Sequence, residues 1–352
     1  MLVVSDIHIG FNRAGGTTPA SREKLRNWLY GQVRSLLVNS DETRLVVLGD
    51  LFDGYEVPTR DLLDTFALLS RNWLRLDKTI VFIAGNHDNS PRGDRTSSFS
   101  ALAQMLSTAH PDGVTLLDIG EHDYAGEGVY AVPHCANQDL FDAALRAAYQ
   151  EHEANPFTHL LLHANYDNGF AAESDHSLNV SEEAARNFTD VGVTLVFAHE
   201  HQARTELGGQ VVCLGNQWPT SIADCLGNDG KFAHTLNDGR LTQVLTWSSV
   251  QEDGGYAEVD WRDLAGTYPN FVRVAGDATA AQAADVINAI ATFRQRSEAF
   301  VVTNAVRVDG VVALDELPQQ FEAVKAFDVL AFIRGQLDER QVAVVEKLLE
   351  GA

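Results

Sequence analysis

The chain has 352 residues, 45% hydrophobic and 21% charged, a composition for one or two globular domains that excludes wholesale disorder. Its 49 Asp and Glu against 26 Lys and Arg give a formal charge of −23, which argues against nucleic-acid binding through a broadly basic surface. No apolar run reaches the ~18–20 residues that span a bilayer. The opening MLVVSDIHIG lacks the basic and apolar regions of a signal peptide, so the expectation is a cytoplasmic protein with no membrane association. Cys135, Cys213 and Cys225 form no CxxC, which speaks against a disulfide framework or a thiolate metal site.

In chain order, LVVSD (2–6) reads as a short buried strand, followed by a helix over 21–37. RLVVLGD (44–50) reads as a second strand. A helix over 60–76 follows, with Leu62, Leu63, Phe66, Leu69 and Leu74 at helical spacing. TIVFIAGNHD (79–88), HLLLHAN (159–165) and TLVFAHEH (194–201) are three more apolar, β-branched runs that stop at polar residues. Strands alternating with helices predict an α/β sheet whose ligands gather beyond the strand ends. The polar WSSVQEDGG (247–255) marks a connection between residues 1–250 and a small α+β unit over 251–317. In that unit 256–261 and 270–276 read as strands, 278–296 as a helix with Val286, Ile290 and Phe293 on one face, and 300–309 as a strand. Residues 318–352 read as amphipathic helices. Asp338 and Gln341 have capping-box spacing ahead of Val342, Val345, Leu348 and Leu349.

The strand ends carry the chemistry. The first presents Asp6 and His8, two apart and so on one face of an extended segment. The second presents Asp50, with Asp53 three residues on. The third gives Asn86, His87 and Asp88, the fourth His163, and the fifth His199 and His201. Carboxylates, imidazoles and one amide oxygen suit Mn²⁺, Fe²⁺ or Zn²⁺. Taken singly, these are turn formers or core histidines. Together they exceed the needs of one ion and match two that share a carboxylate. Two ions about 3.5–4 Å apart polarise a phosphoryl oxygen and generate a hydroxide nucleophile.

The series DxH, GD, GNHD, a lone His after a strand and HxH, in that order, resembles the calcineurin-like metallophosphoesterases. The resemblance implies their four-layer αββα sandwich. It also implies that Asp6, His8, Asp50 and His201 hold one ion, and that Asp50 (bridging), Asn86, His163 and His199 hold the other. His87 is then the histidine that meets the scissile phosphate and assists the leaving oxygen, with Asp53 orienting it. One departure is visible. The last motif in the family usually reads GHxH, and Ala198 stands here in place of the glycine, where a positive φ would be disfavoured.

GDLFD (49–53), the appended α+β unit and the segment 211–236 resemble the SbcD-type DNA repair nucleases, including phage-encoded relatives. That resemblance implies an Mn-dependent exonuclease and endonuclease acting on DNA, with the small unit capping the active site. It also implies that the C-terminal helices dock on an SbcC-type coiled-coil ATPase, and it leaves homodimerisation open. Arg92 and Arg95, just after GNHD, are the nearest cationic candidates for a phosphate backbone, and His134, after a further strand-like run, is a candidate to line the site. Two alternatives stand beside this reading: a metallophosphoesterase for a small phosphodiester or nucleotide pyrophosphate, and a non-catalytic scaffold.

Overall fold

The computed structural model describes residues 1–10, 18–88, 95–168, 177–227 and 229–309. Arg92 and the segment 318–352 lie outside the described residues. The chain begins with β1 (Leu2–Val4), α1 (Pro19–Asn39), β2 (Arg44–Leu48), α2 (Thr59–Asn72), β3 (Thr79–Ile83), α3 (Ser98–Ala109) and β4 (Val114–Leu117). It continues through β5 (Asp123–Gly126), β6 (Val129–Val132), α4 (Gln138–Ala154), β7 (His159–His163), and the short β8 (Asn165–Tyr166) and β9 (Asn179–Val180). Then come α5 (Glu182–Thr189), β10 (Thr194–Ala198), β11 (Arg204–Glu206) and β12 (Val211–Cys213), and the hairpin β13 (Gly230–Asn237) and β14 (Arg240–Ser248). The last described elements are β15 (Tyr256–Asp260), β16 (Phe271–Ala275), β17 (Asp277–Ala278), α6 (Ala283–Arg296), β18 (Val301–Asn304) and β19 (Arg307–Val308).

Helix starts follow local chemistry. Thr18, Ser97, Asn137 and Ser181 each accept a backbone N–H of the first turn of α1, α3, α4 and α5, and Pro19 opens α1 where its missing N–H costs nothing. The helix expected over 60–76 is shorter. It stops at Asn72 because Trp73 leaves helical geometry, buries its ring fully and donates its indole N–H to the Thr79 carbonyl.

Two six-stranded sheets form the body, in the orders β14-β13-β1-β2-β3-β4 and β11-β12-β10-β7-β6-β5. β1 to β4 run parallel, as do β12, β10, β7 and β6, and the outer strands β13, β14, β11 and β5 are antiparallel to their neighbours. Strand alternation sorts the side chains into layers. Leu2, Val4, Leu45, Val47, Ile80 and Phe82 face α1, α2 and α3, whereas Val3, Val46, Leu48, Val81 and Ile83 face the other sheet. On that sheet Leu161, Val196 and Ala198 look inward, and Leu160, Leu162, Leu195 and Phe197 pack on α4 and α5. The result is the expected αββα sandwich.

β15, β16 and β18 form a third sheet, all parallel, with α6 as the crossover to β18, and β17 pairs with β19. The helix expected over 278–296 therefore begins later, at Ala283, because Asp277–Ala278 is taken up in pairing with Arg307–Val308. One face of this sheet builds a separate core with Val286, Ile290 and Phe293 of α6. The other sends Phe271 and Phe300 against Trp28 of α1, at ring separations of 5.9 and 5.6 Å.

Candidate metal centre

The carboxyl ends of β1, β2 and β3 from one sheet and of β7 and β10 from the other meet at one end of the sandwich. There the segment after β1 runs beside the segment after β2: the N–H groups of Asp6, His8 and Ile9 donate to the carbonyls of Gly49, Asp50 and Leu51. Asp6 and His8 do not share the face of an extended strand, as their spacing suggested. β1 ends at Val4, and both residues are left-handed (φ 49° and 52°). Asp50 (φ 50°) and His199 (φ 92°) share that conformation. Ala198 stays in β10, fully buried between the sheets, so the left-handed position of the last motif falls on His199. The alanine is accommodated without positive φ.

Three groups of donors converge, each with its atoms within 4.8 Å of one another: Asp6, His8 and His201; Asp50, His163 and His199; and His8, Asp53 and His87. Asn86 joins the second group, its Oδ1 lying 2.8 Å from His199 Nδ1 and 3.0 Å from His163 Nε2. The partners of the ring nitrogens fix the tautomers. His163 donates Nδ1–H to the Leu48 carbonyl (3.0 Å), so in the neutral ring the Nε2 lone pair lies 3.4 Å from Asp50 Oδ1. His201 gives Nδ1–H to Asp224 (2.8 Å), so its Nε2 lone pair faces His8 Nε2 at 3.0 Å. Lone pairs aimed at oxygens and at another imidazole nitrogen are mutually repulsive unless a cation or proton lies among them. That is the observation by which these residues fit divalent ions.

The electrostatics agree. Burial pushes the Asp6 carboxyl up. At Asp50 burial works in the same sense, but His163 beside it prevails and holds that carboxyl well below the usual carboxylate range. Burial opposes a cationic His163, yet the Asp50 carboxylate wins and raises it to about 9. Burial, then the neighbouring His163, lowers His199 to about 4.

His87 is turned toward solvent at the edge of this cluster. Its Nδ1 donates to the backbone carbonyl of Asp53 (2.7 Å), and its Nε2 lies 3.8 Å from Asp50 Oδ2. Asp53 thus touches His87 through its main chain, while its carboxylate lies against His8 (3.4 Å). Arg95 is exposed, 3.4 Å from Glu56. His134 is buried just beyond β6, where its backbone N–H donates to the Ala84 carbonyl, and it belongs to none of the three donor groups.

Motif reading gave Asp88 no role and passed over Ser177 and Asp224. Asp88 is buried, and its Oδ2 accepts the N–H groups of Gly85 and Asp50. Ser177 Oγ lies 3.0 Å from His199 Nε2. Asp224 receives His201. The Thr220-Ser221-x-x-Asp224 spacing, a local side-chain-to-backbone turn, was the one available signal for Asp224.

Residues 1–203 match the family model of the calcineurin-like phosphoesterases. The chain belongs to that family. Its members are hydrolases of phosphoester bonds that use dinuclear metal centres, and the converging donors are candidates to hold metal ions. Among solved structures, a dimetal phosphatase from Danio rerio is 13% identical with a TM-score of 0.39, the match covering 69% of this chain and 94% of that one. The nuclease MPE of Pseudomonas putida is 15% identical with a TM-score of 0.28, over 69% and 86% of the two chains. No curated protein sequence matches the chain. Among the described residues no helix is long and apolar enough to cross a membrane.

Proposed function

We propose that this phosphoesterase is an Mn-dependent DNA nuclease, the nuclease subunit of an SbcCD-like recombination and repair complex. The observation that carries the phosphodiesterase reading is the convergence of Asp6, His8, Asp50, Asn86, His163, His199 and His201 with His87 at their edge. The step to DNA is supported by the GDLFD spelling, the segment 211–236 and the appended unit after residue 250. In this reading Asp6, His8, Asp50 and His201 hold one ion and Asp50, Asn86, His163 and His199 the other. An imidazole and oxygen donor set without thiolate suits Mn²⁺. Bound there, two divalent ions supply Lewis acidity toward the phosphoryl oxygens and acidify water.

The chain's own residues do the rest. Asp50 stays ionised between the two groups of donors. His87, held at Nδ1 by the Asp53 carbonyl, presents Nε2 beside Asp50 at the edge of the cluster, and a proton carried there passes to the departing 3′-oxygen. Residues 318–352 are the segment proposed to dock on the coiled-coil ATPase.

End-labelled linear duplex DNA, incubated with Mn²⁺ or Mg²⁺ and with or without a candidate SbcC-type ATPase, tests the reading. Mn²⁺-dependent cleavage is expected, together with loss of ATPase co-purification when residues 318–352 are removed. Hydrolysis of bis-p-nitrophenyl phosphate with DNA untouched would assign a small phosphodiester instead. A chain that binds no transition metal and hydrolyses neither substrate would be a scaffold.

A further inference from the structure

We infer that Asp224, beyond the residues matched by the family model, is a positioning residue for His201 that fixes its tautomer and so sets the affinity of one metal position. The inference rests on the two-ion reading of the site.

Asp224 is 3% exposed and presents its two oxygens to different tasks. Oδ1 accepts His201 Nδ1–H at 2.8 Å. Oδ2 is held by the Thr220 and Ser221 N–H groups (both 2.9 Å) and by their hydroxyls (3.2 and 2.9 Å). A carboxylate gripped by four donors on one oxygen has little freedom to rotate, so the other stays aimed at the imidazole. His201 needs such a hold because it lies beyond the end of β10, outside any helix or strand. The segment bearing Asp224 is itself pinned to the site. The Gln217 side chain accepts the Ser5 N–H at 2.6 Å, and the buried Lys231 ammonium donates to Asn216 Oδ1 (2.5 Å) and to the His201 carbonyl (3.3 Å). Gly215 (φ 70°) allows the approach: a Cβ there would sit 2.9 Å from the Ala203 nitrogen and 3.1 Å from the His201 carbonyl oxygen.

The arrangement makes Asp224→Asn a sharper probe than Asp224→Ala. The four donors around Oδ2 select the amide oxygen for that position, which turns the amide NH₂ toward His201 Nδ1. His201 must then accept at Nδ1 and carry its proton on Nε2, the atom facing His8, where no cation can bind. Alanine only frees the ring to exchange tautomers with water.

Mn²⁺ binding to the full chain is followed by calorimetry and by electron paramagnetic resonance, for wild type, D224A and D224N. Wild type is expected to take up two ions. D224N should weaken one of them about 10–100-fold, D224A less, with the second ion held nearly as before and the metal-free melting temperature little changed. Nitrogen spectra of ¹⁵N-histidine-labelled, metal-free wild type at alkaline pH should show the His201 proton on Nδ1, a readout that does not need the variants to fold. Two ions bound with wild-type affinity by D224N, a proton on Nε2 in wild type, or equal loss at both positions with a collapsed melting temperature would each overturn the assignment. Wild type that binds no Mn²⁺ would overturn the two-ion reading along with it.

Discussion

Four non-glycine residues of the site, Asp6, His8, Asp50 and His199, sit at positive φ, a conformation that costs of order 1–3 kcal/mol each. The backbone bears this where donors must turn inward past the strand ends. The glycines beside them are fixed by contact. A Cβ on Gly85 would lie 2.3 Å from Asp50 Oδ1, and one on Gly49 (φ 78°) only 2.0 Å from His163 Nδ1. Gly85→Ala should therefore displace the Asp50 carboxylate, lower stability by roughly 1–3 kcal/mol and reduce the bound Mn²⁺ measured by elemental analysis. His87→Ala removes a group at the edge of the donor cluster, so it should keep its ions but lose about 10²–10⁴-fold in hydrolysis. Asp50→Ala should lose both, because that carboxylate faces His163 and His87 at once. Parallel assays of metal content and diester hydrolysis separate the two variants, and undiminished turnover by His87→Ala would remove it from the chemistry. The donor identities were legible as motifs. Their left-handed backbone was not, because two-residue spacing is equally compatible with an extended strand.

Among the elements, α1 joins the sandwich to the third sheet. Leu25, Leu29, Val33 and Leu37 bury its inner face, and Trp28 meets Phe271 and Phe300. Gly254 (φ 86°) lets the connecting segment pass the indole, since a Cβ there would lie 2.5 Å from the ring. Trp28→Ala should cost about 3–5 kcal/mol of packing. Hydrogen exchange should then rise across 256–304 before it rises in β1 to β3. Uniform protection across both regions would show that the contact does not hold the sheet in place. The helix of this unit was readable from Val286, Ile290 and Phe293, but its start was not. Asp277 and Ala278 suit helix or strand alike until Arg307 and Val308 arrive to pair with them.

For the whole molecule, a charge of −23 means that DNA affinity has to come from bound cations and from a partner. Filter binding of metal-free chain to duplex DNA should be weak at all but low salt, and tight salt-sensitive binding would contradict the proposal. Acid response belongs to the same scale. His234 in β13 is 2% exposed, its Nδ1 has no hydrogen-bond partner among the described residues, and burial holds its pKa down to about 4. The unfolded chain binds this proton more readily. The stabilisation is therefore complete above the ordinary histidine value of about 6.5 and is lost as pH falls toward 4, up to about 3 kcal/mol. Thermal melts over that range should decline in wild type and less steeply in His234→Leu. Parallel slopes would place the acid sensitivity elsewhere.

By itself the sequence determined the strand ends, the residues that arm them and the alternation that buries both faces of each sheet, because these depend on short-range periodicity and residue chemistry. Only the tertiary structure decided which imidazole nitrogen points inward, that His87 meets Asp53 at its backbone carbonyl, and that His201 meets the Asp224 carboxylate. Those facts depend on which groups meet across more than twenty residues of chain, and no local pattern encodes a hydrogen bond closed by folding.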